Sequence, residues 1–311
     1  MTEVQAGPHR FTWDSDWAKL PDAIQPGYTH GVVVDRRGLV HVFNQSPHAV
    51  LTFEPDGAFV GTWDEFPSDR FLGAHGMTLV ETGGEPLLWL TDQHSGEVVK
   101  TTLEGETVMR LDKPDHPVYR EGGKYSPTWA AEADDGVVFV ADGYGSSLVS
   151  CYDREGKHLA TIDGSGGAGR FKCPHGLWLT RRPRATGTDE PVLYVTDRGN
   201  SRIQVFKLDG TFVKQFDQQH PCSFGEYNGE LLVPDLHAFI NLYDEKDALV
   251  AGHVGDQRDI VGQHGWPNVP MEMRVPGRFN SPHGGCFDHD GNIYIVEWVQ
   301  EGRITKLTRQ S

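Results

Sequence analysis

The chain has 311 residues and a formal net charge of -16 at pH 7, with 44 acidic and 28 basic residues. This balance argues against binding to nucleic acid or to an anionic membrane surface, because both need a basic face. The sequence has no long apolar run, and its first ten residues lack both the basic and the apolar segment of a secretory signal. We therefore expect a soluble cytoplasmic protein; cationic or neutral small substrates and the oligomeric state stay open.

The composition favours β-structure over helices. The chain contains 37 Gly and 19 Pro, and short runs rich in Val, Leu and Phe lie between them. Its four cysteines have no Cys-x-x-Cys spacing and are too few for a disulfide framework in a chain of this size. We therefore expect four free thiols, at Cys151, Cys173, Cys222 and Cys286.

The first predicted element is an isolated alternating strand over residues 10–17. Four more strands follow, separated by tight turns and ending near Trp63. The same order of strands and turns then repeats along the chain. The heptapeptide Arg-Phe-x-x-Pro-His-Gly occurs at 170–176 and at 278–284, with a looser copy at 70–76. A run of four antiparallel strands joined by tight turns is typical of one propeller blade.

The repeated units set the predicted architecture. They start near residues 30, 75, 128, 175, 222 and 283, and steps of 45 to 61 residues match the period of propeller blades. The last unit has only three strands of its own, so residues 10–17 supply a fourth and would close the ring. We predict an all-β, six-bladed β-propeller, NHL-like, as a single domain over 1–311. Two separate β domains would leave residues 10–17 unexplained.

The residue that opens each unit lies on an inner strand and should face a shared central funnel. These residues are His30, His75, Thr128, His175, Cys222 and His283. Converging imidazoles suit a borderline metal such as Zn²⁺, which keeps one position open when it is catalytic. A single histidine could equally cap its strand by bonding to the next blade. For the whole set the metal interpretation is favoured, because like groups around one axis are unfavourable without a cation.

A second ring of residues ends the second strands: Asn44, Asp92, Asp142, Asp197, Asp235 and Glu297. Such residues usually bond the turn amides of their own blade. The side chains just beyond them have more freedom. Of these, Tyr144 could act as a base, and Arg198 could hold a carboxylate or an alkoxide. Alternatively, Arg198 pairs with a nearby acid and Tyr144 only packs. We predict substrate contacts from His30, Asn44, Gln45, His94, Cys222, His237 and Trp298.

The Pro-His-Gly starts and the segments 140–144 and 197–206 are similar to NHL-repeat propellers. Among these the chain most resembles the peptidyl-α-hydroxyglycine α-amidating lyases, a zinc-dependent family. The resemblance implies zinc ligands at His75, His175 and His283, a catalytic base at Tyr144 and a catalytic cation at Arg198.

The sequence also departs from the pattern of that family. Asn44 or Gln45 stands where the family has a second catalytic Arg, Gly284 replaces a calcium-binding Asp, and Gly145 replaces a disulfide-bonded Cys. We therefore expect zinc, or another divalent metal, and no calcium. The predicted activity is a metal-dependent lyase that breaks a C–N or C–O bond of a small hydroxylated metabolite. A hydratase, hydrolase or isomerase that uses His30 or Cys222, and a non-enzymatic NHL scaffold, remain open.

Overall fold

The structure, a computed structural model, describes residues 2–63, 72–81 and 84–310. The chain divides into two compact units, which we call the terminal unit (Met1–Asp64 with Cys222–Ser311) and the central unit (Glu65–Pro221). The described strands form six antiparallel sheets, three in each unit. The fold is a six-bladed β-propeller, as the repeats predicted. The start of the loosest repeat, at Arg70 and Phe71, lies outside the described residues.

The strands are given by blade, in chain order. The N-terminal strands are β1 (Thr2–Ala6) and β2 (His9–Asp14). Blade one has β3 (Thr29–Val34), β4 (Val40–Asn44), β5 (Val50–Phe53) and β6 (Phe59–Thr62). Blade two has β7 (Ala74–Val80), β8 (Leu87–Asp92), β9 (Val98–Thr102) and β10 (Thr107–Leu111). Blade three has β11 (Trp129–Glu132), β12 (Val138–Asp142), β13 (Leu148–Tyr152) and β14 (His158–Ile162).

Blade four has β15 (Pro174–Thr180), β16 (Val192–Asp197), β17 (Arg202–Lys207) and β18 (Phe212–Asp217). Blade five has β19 (Gly225–Tyr227), β20 (Glu230–Asp235), β21 (Phe239–Tyr243) and β22 (Leu249–Val254). Blade six has β23 (Pro282–Phe287), β24 (Ile293–Glu297) and β25 (Arg303–Gln310). The helical segments are short: α1 (Pro117–Arg120), α2 (Pro183–Thr186) and 3₁₀ turns at Arg198–Asn200, Arg258–Ile260 and Met271–Met273. No helix in the described part of the chain has the length and apolar character needed to cross a bilayer.

The N-terminal strand joins blade six within the terminal unit. Strand β2 pairs antiparallel with β25, with Arg10 opposite Gln310 and Asp14 opposite Lys306. The strand is His9–Asp14 where residues 10–17 were predicted, and β1 pairs with β2 as a fifth strand that the sequence did not indicate. Closure of the ring by this strand and the single-domain organisation stay predictions.

The middle strands are buried on both faces because they pack between neighbouring sheets of the same unit. In the central unit, Phe139 of β12 and Leu193 and Val195 of β16 lie in one apolar cluster. In the terminal unit, Trp13 and Leu307 belong to a cluster of the same kind. Burial of each such side chain stabilises the fold by about 1.5–3 kcal/mol. This packing on both faces explains why the amino-acid sequence of these strands is a continuous apolar run. All four cysteines are free thiols, as predicted.

The carboxylate of Asp35, at the end of β3, stabilises blade one. Its Oδ2 accepts hydrogen bonds from Nε and Nη2 of Arg37 at 2.9 and 2.8 Å, and its Oδ1 accepts the backbone N–H of Leu39 at 3.0 Å. Burial alone would raise the pKa of Asp35. The bonds from His41, Arg37 and the backbone amides outweigh it and hold that pKa well below its usual range.

Replacement of Asp35 by Asn is expected to lower the free energy of unfolding at pH 7 by about 1–3 kcal/mol, through loss of charged hydrogen bonds. Because the folded-state pKa is depressed, this contribution is complete above the unfolded pKa of about 3.9 and is lost as the pH falls through the folded value. The difference between wild type and variant should therefore shrink by about 1 kcal/mol between pH 5 and pH 3. Urea unfolding at both pH values measures it, with the exposed Asp290→Asn as control. An equal difference at both pH values would refute the assignment.

Candidate functional site

Buried acids at the ends of the second strands hold the loops at one end of each sheet. In the central unit, Oδ1 of Asp92 accepts the backbone N–H groups of His94 and Ser95 at 2.8 Å, and its Oδ2 accepts that of Gly73 at 3.0 Å. Asp197 accepts the N–H of Lys172 at 2.8 Å and is paired with Arg202 at 2.7 Å. The structural interpretation of these acids is confirmed. Asp142 has the same role; burial raises its pKa, although it accepts bonds from Ser126, Ser146 and Tyr119.

A backbone hydrogen bond repeated from blade to blade places the side chain that follows each acid. The backbone N–H of the residue after the acid donates to a backbone carbonyl oxygen in the same blade. That oxygen belongs to the residue two positions before the one that opens the blade. In the central unit this bond joins Arg198 to Cys173 at 3.1 Å and Tyr144 to Ser126 at 3.3 Å. Gly143 is one extra residue in blade three, so Tyr144 takes the position that Arg198 holds in blade four. The fold therefore brings these two side chains to equivalent strand ends.

Four predicted site residues of the central unit meet in one cluster. The side chains of His75 and His175 are fully buried, and their Nε2 atoms lie 3.0 Å apart. The phenol oxygen of Tyr144 lies 3.2 Å from Nε2 of His75 and 3.0 Å from Nε2 of His175. Nη2 of Arg198 donates to that same phenol oxygen at 3.0 Å. The phenol oxygen of Tyr144 is thus within hydrogen-bond distance of both imidazoles and of the guanidinium.

The tautomer of His75 is set by a neighbouring blade. Its Nδ1 lies 2.7 Å from the carbonyl oxygen of Thr128, the residue that opens blade three. A carbonyl only accepts, so Nδ1 carries the proton and Nε2 presents its lone pair to the cluster. Thr128 in turn donates from Oγ1 to the carbonyl oxygen of Pro174 at 3.2 Å, which ties blade three to blade four. Second contacts of this kind orient imidazole ligands in metal sites.

The geometry of the two imidazoles fits a bound metal. Tetrahedral zinc with Zn–N bonds of about 2.0–2.1 Å holds its ligand nitrogens about 3.3 Å apart. The Nε2 atoms of His75 and His175 are 3.0 Å apart, and the Nε2 of His75 is unprotonated. Two ring nitrogens this close are stable only with a proton or a cation between them. The donor set therefore suits zinc or another borderline divalent ion.

The guanidinium of Arg198 contacts Tyr144, and the predicted alternative, pairing of Arg198 with a nearby acid, stays open. Arg202 takes the carboxylate of Asp197, and the Arg198 guanidinium lies 5.3 Å from the centre of the Tyr144 ring. Nη2 of Arg198 also lies 3.4 Å from Sγ of Cys173. No functional role was predicted for Cys173, although its position two residues before His175 was a signal. Burial raises the pKa of the Cys173 thiol, despite the adjacent guanidinium.

Two further predicted residues, His30 and His283, meet in the terminal unit. Their rings lie 4.5 Å apart, both are buried, and Nδ1 of His283 lies 3.1 Å from the carbonyl oxygen of His30. This contact repeats the bond from His75 to Thr128, so the Nε2 of His283 likewise carries the lone pair. The inner-strand bond that the sequence suggested for a single histidine is thus present. The role of His283 as a zinc ligand stays a prediction.

The remaining predicted substrate contacts differ in their surroundings. Asn44 is buried, accepts the N–H of Gly27 and donates to the carbonyl of His48, which is a structural role within the terminal unit. Cys222 is buried and its N–H donates to Pro234. His94 is exposed in the central unit, whereas three others are half-buried in the terminal unit: Gln45, His237 and Trp298. Substrate binding by these residues stays a prediction.

Comparison with known proteins agrees with the fold. The chain superposes on virginiamycin B lyase from Staphylococcus aureus with quinupristin with a TM-score of 0.63 and 15% identity, covering 96% of this chain and 99% of that one. It superposes on a gluconolactonase from Xanthomonas campestris with a TM-score of 0.65 and 15% identity, covering 100% and 98%. Likeness at this identity shows the fold alone. No family model matches the chain.

Sequence comparison is more specific. The chain is 32% identical over 147 residues to the probable peptidyl-α-hydroxyglycine α-amidating lyase of Caenorhabditis elegans, covering 46% of this chain and 39% of that protein. It is 25% identical over 328 residues to rat peptidylglycine α-amidating monooxygenase, covering 93% and 31%. It is 29% identical over 236 residues to human NHL repeat-containing protein 3, covering 68% and 62%.

Fold and similarity together define the class, an NHL-like six-bladed β-propeller. Within that class the chain has homologues among the peptidyl-α-hydroxyglycine α-amidating lyases, as the sequence motifs indicated. It spans about two fifths of the worm relative and about a third of the rat relative. Homology to these enzymes supports a lyase-like propeller.

Proposed function

We propose that the chain is a metal-dependent lyase that cleaves the C–N bond of an N-acyl-α-hydroxyglycine or a similar small hydroxylated metabolite. One observation carries the proposal: the phenol of Tyr144 lies within 3.2 Å of His75, His175 and Arg198. Homologues named as lyases of this kind support the reaction class. The predicted cytoplasmic location remains part of the proposal.

His75 and His175 would hold the metal, and the family resemblance adds His283 as a third ligand. Bound zinc would supply Lewis-acid activation of a substrate oxygen. The assignment of these two imidazoles rests on their burial and on the lone pair that His75 directs into the cluster. Their role in this chain is to fix the position of the reacting group next to Tyr144.

Tyr144 would take the proton of the substrate hydroxyl on its phenolate oxygen. As the C–O bond becomes a carbonyl, the C–N bond breaks, and the proton taken up by Tyr144 passes to the departing amide nitrogen; the products are a carboxamide and glyoxylate. Arg198, whose Nη2 donates to that oxygen, would stabilise the negative charge on Tyr144 before the proton moves. A guanidinium is also the group that best matches the geometry of a substrate carboxylate.

The test is turnover of α-hydroxyhippurate, which is N-benzoyl-α-hydroxyglycine, by zinc-loaded protein. We expect glyoxylate and benzamide in equal amounts, loss of release after treatment with a chelator, and recovery on adding zinc. Folded, zinc-loaded protein that releases no glyoxylate from this or other N-acyl-α-hydroxyglycines would refute the proposed reaction. Retained metal in that case would favour a hydrolase, hydratase or isomerase.

A further inference from the structure

The terminal unit has a cavity of about 390 Å³ between the connection from β2 to β3 and the start of β25. Small-molecule sites in proteins enclose about 300–1,000 Å³, so the cavity is large enough for a small ligand. We call it the loop pocket, and its walls include these side chains: Ala18, Leu20, Ile24, Arg274, Glu301 and Ile304. All of them belong to the terminal unit, so the site does not depend on the central unit.

The connection over residues 15–26 is fixed by contacts with blade one. Trp17 is buried, and its Nε1 donates to the carbonyl oxygen of Pro55 at 3.0 Å. The backbone N–H of Lys19 donates to the carbonyl oxygen of Gly57 at 2.9 Å. The wall that this segment forms is therefore preorganised, and binding of a ligand would require little further ordering of the chain.

One side of the loop pocket is apolar. Ala18, Leu20 and Ile24 are partly buried and pack against the core cluster of blades one and six that contains Ile304. Ile304 is almost completely buried, whereas Leu20 and Ile24 keep part of their surface outside the core. Such a surface favours a ligand that carries methylene groups, because covering it removes apolar area from water.

The polar end of the loop pocket is the guanidinium of Arg274. This side chain is only 11% exposed, and its Nη1 donates to Oε2 of Glu301 at 3.0 Å. Its Nε is buried and has no hydrogen-bond partner in the described part of the chain. Arg303, also in the lining, differs because it pairs with Glu297 at 3.1 Å and donates to the carbonyl oxygen of Arg278 at 3.0 Å. A buried charged donor without an acceptor is unfavourable, so the Nε of Arg274 is the group that a ligand would satisfy.

The charges around Arg274 limit the negative charge that a ligand can carry. Glu301 is 67% exposed, so its ion pair with Arg274 contributes little and leaves the Nε edge of the guanidinium without a counter-charge. The exposed residues Asp16 and Asp22 also line the pocket. A carboxylate matches a guanidinium edge with two parallel hydrogen bonds, whereas the three acids would repel a phosphate or another multiply charged group.

We propose that the loop pocket binds a small monocarboxylate with an unbranched apolar chain of about four to eight carbons. The carboxylate accepts a hydrogen bond from Nε of Arg274, and the chain lies along Leu20, Ile24 and Ile304. This site goes beyond the function proposed above, because none of its residues belongs to the cluster around Tyr144.

The test titrates hexanoate, hexan-1-ol and hexylamine into the protein by calorimetry. We expect one hexanoate per chain, bound at least about tenfold more tightly than the alcohol or the amine, because only the carboxylate satisfies Nε of Arg274. The affinity should rise about three- to fourfold for each CH₂ added from butanoate to hexanoate. The absence of saturable hexanoate binding, or equal binding of hexanoate and hexan-1-ol, would overturn the inference.

A pair of arginine variants locates the carboxylate. Arg274→Gln should weaken hexanoate binding by at least about tenfold and leave hexan-1-ol binding unchanged. Arg10→Gln, which removes an exposed arginine from β2 in the same unit, is the matched control and should bind hexanoate like the wild type. Hexanoate that binds at Arg198 of the central unit would bind equally to Arg274→Gln and to the wild type, and that result would contradict the loop pocket.

A second variant keeps the test decisive if Arg274→Gln does not fold, which circular dichroism establishes. Ile24→Glu retains Arg274 and places a carboxylate on the half-buried apolar wall, so hexanoate binding should again fall by at least about tenfold. A folded Ile24→Glu that binds hexanoate as tightly as the wild type would overturn the inference.

Discussion

Tyr144→Phe is expected to lower kcat for α-hydroxyhippurate by at least about a hundredfold, with KM changed far less. General-base catalysis by a positioned side chain contributes about 10²–10⁴-fold, and the variant removes only the phenol oxygen. The ring of Phe can keep the edge-on contacts that Tyr144 makes with His75 at 5.1 Å and His175 at 5.5 Å, so the buried imidazoles should stay in place. Steady-state glyoxylate release measures the effect.

The matched control for this variant is Tyr227→Phe in the terminal unit, which removes another half-buried phenol oxygen. It should retain wild-type activity. Metal content of Tyr144→Phe should match that of the wild type, because both imidazoles remain, and urea unfolding should show a loss of no more than about 1–3 kcal/mol from the missing bond to Arg198. A variant with near-normal kcat would exclude Tyr144 as the base, and the cluster would then need another proton acceptor.

His175→Ala is expected to abolish activity, with a loss of at least about a hundredfold even in excess zinc. The substitution removes one of two ring nitrogens that lie 3.0 Å apart and would hold the metal. A bound metal stabilises the charge of the transition state by several kcal/mol, and each 1.36 kcal/mol corresponds to a tenfold change in rate. The cavity left by a buried imidazole also lowers stability, so circular dichroism must first establish that the variant folds.

The exposed His264→Ala, on the loop that follows blade five, serves as the histidine control and should keep full activity. His75→Ala should reproduce the loss seen in His175→Ala. The double variant should be little worse than either single one, since residues that act as a unit are not additive. Folded His175→Ala with more than about a tenth of wild-type activity would contradict a metal role for this residue.

The repeats made the blades and the end-of-strand residues predictable. Two features recur: the residue that opens a blade lies two positions after a loop carbonyl, and a polar residue ends the second strand. They recur because the same backbone hydrogen bond is repeated in blades one, two, three, four and six. That pattern placed Tyr144 and Arg198 correctly at equivalent strand ends, and it placed His75 and His175 on inner strands.

Other features depend on geometry that a single sequence does not express. Strand β1 has a mixed, mostly exposed sequence, and it is defined by its pairing with β2 rather than by periodicity. Cys173 reaches Arg198 from a backbone with a φ of 58°, a left-handed conformation that is uncommon for a non-glycine residue before proline. The ring of Trp266 meets that of Trp298 only through the folding of the long loop over residues 256–277. The sequence suggested Trp298 and His237 but not Trp266, the ring that contacts both of them.

Elemental analysis of purified protein tests the central claim, that His75 and His175 are metal ligands, most directly. After equilibration with zinc and removal of excess ion, the wild type should contain about one zinc per chain, and folded His75→Ala/His175→Ala should contain close to none. A wild type that retains no metal, or a double variant that retains as much as the wild type, would contradict the account.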